Sequence, residues 1–174
     1  MEPGKSWRKH CWTQARADLL PHLPIEVLRG RLKRAAELGL DYRTYASVRA
    51  SSGQDVVAVL FSSNALRLHV NGADVSPDRA EKLQAVIARR IGLASAPLTA
   101  GMLRVCAGAL LDAAEPAPDA LAPHGRQRGV LRQALGKIPG DQALLVGAYA
   151  LEQDWVAAGR LAGYIDAARY FARR

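Results

Sequence analysis

At residues 56–61 the chain reads VVAVLF, six apolar residues in a row, and the run stops at Ser62-Ser63-Asn64. A continuous apolar run of this length, rich in valine and bounded by turn residues, predicts a strand buried on both faces. A second such run, ALLVGAY at 143–149, predicts another. After Asn64 the pattern alternates, with Leu66 and Leu68 on one side and Arg67 and His69 on the other. Alternation marks a half-buried strand, so 65–70, closed by the turn pair Asn71-Gly72, predicts a hairpin over 56–70.

Elsewhere the spacing is helical. A first helix over 6–20 carries Trp7 and Cys11 on one side and ends at Pro21 and Pro24. Ile25, Leu28, Leu32 and Ala36 predict a helix that buries this stripe and stops at Gly39. Asp41 caps a short helix through Arg49, with Tyr42, Tyr45 and Val48 on one stripe. Ser76-Pro77-Asp78 opens a helix with Ala80, Leu83 and Ile87 inward, Arg89-Arg90 near its C-terminal end, and Gly92 as its stop. Thr99 caps another, with Leu103, Cys106 and Leu110 inward. Residues 115–124, with prolines at 116, 118 and 123, predict an internal loop or linker within one domain spanning 1–174. A basic helix follows over 125–137, with Leu131, Ala134, Leu135 and Ile138 inward. Asp154 caps the last helix, whose inner side carries Trp155, Ala158, Leu161, Ile165 and Ala168.

The order helix, glycine turn, apolar run occurs twice, led by Arg-Gly-x-Leu at 29–32 and again at 128–131. That repeated unit favours an α/β or α+β layer over a helical bundle. The expected fold is a helix-rich single domain with a small sheet built around 56–61 and 143–148, as neighbours or one strand apart.

Composition narrows the partners. Hydrophobic residues make up 49% of the 174, enough for a packed core, and only 6% are aromatic, so Leu, Val, Ile and Ala must fill it. The net charge of +8 favours anionic partners: nucleic acid, an acidic protein surface or a phosphorylated ligand. The excess of arginine over lysine and the abundance of alanine fit a GC-rich bacterial genome, which supplies part of that charge as solvated surface. No signal-peptide pattern opens the chain, and no apolar run reaches the roughly 18 residues needed to span a bilayer, so no membrane is expected. Cys11 and Cys106 lie far apart and suit a reducing cytoplasm.

Candidate chemistry is sparse. There is no P-loop, no GxGxxG, no GxSxG and no HExxH, and His10, His22, His69 and His124 are scattered, so neither a metal nor a cofactor is expected. Nothing in these motifs commits the chain to catalysis.

Two candidate sites remain. Ser62, Ser63 and Asn64, with Arg67 beyond them, follow a buried strand, where α/β sheets bind ligands. The same residues also make turns through local hydrogen bonds, and a turn is the expected role. The second candidate is Arg126, Arg128, Arg132 and Lys137, on a helix with no acid between Ala120 and Gly140. Arg128 and Arg132 are one turn apart and can reach phosphates on one side. Arg29, Lys33 and Arg34, by contrast, are diluted by Glu26 and Glu37 and read as a salt-bridged solvated face.

The leading expectation is a non-catalytic cytoplasmic binding or regulatory protein whose partner is anionic, DNA or RNA first. One alternative is a small α/β enzyme or ligand-binding domain acting on a phosphorylated or carboxylated molecule. Another is an adaptor or homodimer using the C-terminal helix, where Gly159 and Gly163 would admit a close neighbour.

Overall fold

The computed structural model of the chain describes residues 24–69 and 74–172. The helix expected over 6–20 and the pair Asn71-Gly72 lie outside these residues. The described part is a five-stranded sheet, all parallel, in the order β3-β2-β1-β4-β5. Strand β1 is Ala58–Ser62, β2 is Arg89–Ala94, β3 is Ala113–Pro116, β4 is Ala143–Gly147 and β5 is Gly163–Asp166. The two apolar runs are therefore neighbours, with Leu60 opposite Leu145, and every residue of β1 and β4 is buried.

Their alternate side chains feed two cores. Val59, Phe61, Leu144 and Val146 pack on one face with residues of α1 (Ile25–Glu37), α2 (Tyr42–Ser52), α3 (Pro77–Ala85), α4 (Ala100–Ala107) and α7 (Ala167–Tyr170). Ala58, Leu60, Ala143 and Leu145 pack on the other face with α5 (His124–Leu135) and α6 (Asp154–Gly159). The fold is a doubly wound α/β sheet. From β1 the chain steps outward to β2 and β3 through α3 and α4, then returns over the other face through α5 to β4. Right-handed crossovers require that change of face when the direction of winding reverses. The reversal falls between β1 and β4.

Several expectations are corrected. Residues 65–69 are a tight turn and not a strand: the Leu66 amide donates to the Ser62 carbonyl at 3.1 Å and the Leu68 amide to the Ser63 carbonyl at 2.9 Å. Leu66 and Leu68 are buried while Arg67 and His69 are exposed, so the alternation is real, but a turn produces it. Both edges of β1 already carry parallel partners, which leaves no edge for a hairpin. Helix α3 stops at Ala85 and β2 begins at Arg89, with Ile87, expected inward, 63% exposed. Pairing with β1 and burial of Ile91 and Leu93 override the helical spacing there.

The single C-terminal helix is three elements: α6, β5 and α7. Gly159 ends the first and Gly163 opens the second, so the two glycines share no helix face. Asp154 is the first residue of α6 and makes no cap, whereas Asp166 caps α7 by accepting from the Ala168 amide at 2.8 Å. The proline-rich stretch begins inside β3, which contains Glu115 and Pro116. Helix α1 turns Ala35, with Leu38 just beyond its end, to the core and leaves Ile25 and Leu32 outside. Arg34 fixes that rotation by donating to the carbonyls of Val56 at 2.7 Å and Ile87 at 2.9 Å. Asp41 and Thr99 cap as expected, accepting from the amides of Thr44 at 2.8 Å and Met102 at 3.3 Å, while Ser76 starts α3 without a side-chain bond. Among the described residues no helix is long and apolar enough to cross a membrane.

Candidate functional site

In a doubly wound sheet the loops at the carboxyl ends of the strands open apart where the winding reverses, and ligands bind in that crevice. Here it lies between the ends of β1 and β4, and Ser62-Ser63-Asn64 stands at its lip. The crevice is filled by the chain itself. Glu152, only 2% exposed, accepts from Ser62 Oγ at 3.1 Å, Asn64 Nδ2 at 2.8 Å, the Ala148 amide at 2.6 Å and the Tyr149 amide at 3.3 Å. A buried carboxyl group is costly unless donors surround it, and these four do. Gly147 makes the approach possible, because a Cβ there would lie 2.5 Å from Glu152 Oε2.

The rest of this edge is equally committed. Ser62 Oγ also accepts from the Ala65 amide at 3.0 Å, and Ser63 Oγ accepts from the Ser95 amide at 3.1 Å, joining the β1 and β2 loops. Arg79, buried, donates to the Ala65 carbonyl at 2.7 Å and stacks 4.8 Å over the Phe171 ring. Burial, then the neighbouring Arg67, lower its pKa. Burial and the carboxyl groups of Glu152 and Asp166 push the Tyr164 phenol up to about 12. Arg67 itself is exposed, at φ 59°, and takes no part in the Glu152 clamp.

The amino edge of the sheet is built the other way. Helix α5 runs back against the strands, so its C-terminal end meets the loop that enters β4. Beside it lies the loop between α6 and β5. Together they line a cavity of about 440 Å³ that includes Arg128, Arg132, Lys137 and Arg160, with Asp141 as the one carboxylate among its described lining residues. The floor is backbone on backbone: a Cβ on Gly140 would lie 2.3 Å from the Gly159 carbonyl oxygen. Arg160 adopts φ 52° and ψ 45°, the left-handed conformation in which a helix normally ends on glycine.

None of these four cations forms an ion pair with another described residue. The contrast with the other basic stripe is sharp. Arg29 pairs with Glu26 at 2.8 Å, Lys33 meets Glu37 at 4.0 Å, and Arg34 pairs with Glu37 at 2.8 Å, the salt-bridged face expected from the sequence.

Three of the four basic candidates, Arg128 and Arg132 on α5 and Lys137 just past its end at Leu135, thus meet at one cavity. Arg126 is exposed near the other end of the helix and does not line it. Arg160 and Glu152 were both missed from the sequence. Arg160 follows Gly159, which looks like an ordinary helix position, and Glu152 lies 90 residues from Ser62. Among the described residues no three His, Cys, Asp or Glu side chains gather to hold a metal ion. No family model, no curated protein and no solved structure matches the chain.

Proposed function

We propose that the chain is a non-catalytic module of a reducing cytoplasm that binds the phosphate groups of a nucleic acid at the amino edge of its sheet. The observation that carries this is the cavity lined by Arg128, Arg132, Lys137 and Arg160, four cations beside the single described carboxylate of Asp141 and in ion-pair contact with no described residue. The helix dipole alone asks for less: it places about half a negative charge at the C-terminal end of α5. Four cations exceed that several-fold. Arginine suits phosphate because its planar guanidinium donates along two parallel bonds. At the opposite edge the donors are committed to Glu152, which argues against a second anion there.

The test is binding of a fluorescent single-stranded oligonucleotide across a salt series. Affinity should fall steeply as salt rises, since each neutralised phosphate releases counterions. Changing Arg128, Arg132, Lys137 and Arg160 together to Gln should flatten the slope of log affinity against log salt by about 0.7 for each phosphate of the strand that is no longer neutralised. Circular dichroism should show the fold intact, because all four side chains are exposed. Unchanged binding in the quadruple variant would move the function elsewhere.

A further inference from the structure

We propose that the amino-edge cavity receives a phosphomonoester, a terminal phosphate, and not a phosphodiester inside a continuing strand. The inference rests on the phosphate-binding function above and specifies its ligand. Shape is the first argument. A volume of about 440 Å³ falls in the range of small-molecule sites, roughly 300–1,000 Å³. The recess is closed below by the close approach of Gly140 to the Gly159 and Arg160 carbonyls, so a strand cannot enter and leave between the two loops. A chain end can be seated there.

Charge is the second argument. Arg128, Arg132, Lys137 and Arg160 share the cavity lining with one described carboxylate, Asp141. An internal phosphodiester brings a single charge and two free oxygens. A phosphomonoester brings nearly two charges and three acceptor oxygens, which matches the larger donor set.

Arg160 supplies the third. An arginine at φ 52° occupies backbone space that glycine fills more cheaply. Arg160 is one of the residues lining the same recess, and nothing in the described chain accepts from its guanidinium.

The phosphomonoester could come from a nucleic-acid end or from a free nucleotide, and the experiment separates them. The full chain is titrated at low salt with one oligonucleotide sequence in four forms: phosphorylated at the 5′ end, phosphorylated at the 3′ end, hydroxyl at both ends, and circularised. A nucleoside monophosphate is titrated alongside. At least one phosphorylated end should bind about tenfold more tightly than the hydroxyl and circular forms, the smallest gain expected of one charge-assisted hydrogen bond. That preference should vanish in Arg160→Gly and in the double variant R128Q/R132Q. Competition by the monophosphate at equal affinity assigns the site to the free nucleotide. Equal binding of circular and phosphorylated forms, with the salt dependence intact, overturns the phosphomonoester and leaves phosphate binding standing. No binding of any oligonucleotide or of the monophosphate overturns both.

Discussion

At the carboxyl edge of this sheet four donors converge on a carboxyl group of the same chain, while at the amino edge four cations converge on an open recess. Both edges use similar groups, for different ends. Ser62, Asn64 and the amides of Ala148 and Tyr149 could hold an oxyanion, and Glu152 is that oxyanion, covalently supplied. Among the described residues Arg128, Arg132, Lys137 and Arg160 have no such acceptor. A set of donors therefore identifies a ligand site only after the acceptors of its own fold have been counted. By that measure the usual ligand crevice of a doubly wound sheet is taken up here by Glu152, while the cations of the opposite edge are left without a described ion-pair partner.

The largest effect is expected at Glu152. Glu152→Ala leaves Ser62 Oγ, which is buried, and Asn64 Nδ2 and two backbone amides, which are part-buried, without their acceptor. Each orphaned donor costs about 1–3 kcal/mol, so a total loss of about 3 kcal/mol or more is expected in urea denaturation. Phosphate binding at the amino edge should persist under conditions where the variant is folded. Glu152→Gln, which keeps the shape but turns an amide donor toward other donors, should fall between the variant and the parent. A loss below about 1 kcal/mol for Glu152→Ala would show that β1 and β4 do not need the clamp.

Arg160→Gly gives the opposite signature. A side chain in the left-handed region costs roughly 1–2 kcal/mol, and glycine returns part of that through its larger unfolded-state entropy, roughly 0.5–1 kcal/mol. Stability should therefore hold or rise by up to about 1 kcal/mol. Affinity for a phosphorylated ligand should fall by about 1.5–3 kcal/mol, the contribution of a hydrogen bond to a charged group. Parallel thermal melts and binding titrations check both halves. A destabilised variant with intact affinity would make Arg160 a packing residue.

The two edges also differ in how far they could be read from the sequence. VVAVLF and ALLVGA announced the central strands because a residue buried on both faces has to be apolar at every position. The α5 cations were legible because they lie within a few turns of one helix, where spacing translates directly into a shared side. What failed was whatever depended on distant partners. Strands β2 and β5 carry Gly92 and Gly163 and lack a continuous apolar run, and pairing with their neighbours in the sheet makes them strands. The alternation at 65–69 belongs equally to a strand and to the turn that forms. Glu152 carries no local sign of its role, since its side-chain partners lie 88 and 90 residues earlier. Arg160 could have been found from one weak signal, an arginine directly after glycine at a helix end.

The smallest expected effect is the most discriminating for the amino edge. Arg126 belongs to the same basic helix and carries the same charge, but it sits near the N-terminal end of α5, outside the cavity lining. On a helix, residues two apart point to nearly opposite sides, so Arg126 and Arg128 do not act together. Arg126→Gln should reduce nucleic-acid affinity only through the long-range field, by less than about 0.5 kcal/mol, and less again as salt shortens the Debye length. Arg132→Gln, which removes a donor from the cavity, should cost about 1.5 kcal/mol or more. The pair is measured side by side at two salt concentrations with one oligonucleotide. If the two variants lose the same affinity, the whole face of α5 binds as a charged rod and the cavity has no privileged part. A loss confined to Arg132→Gln places the phosphate in the recess between α5 and the Gly159–Arg160 loop.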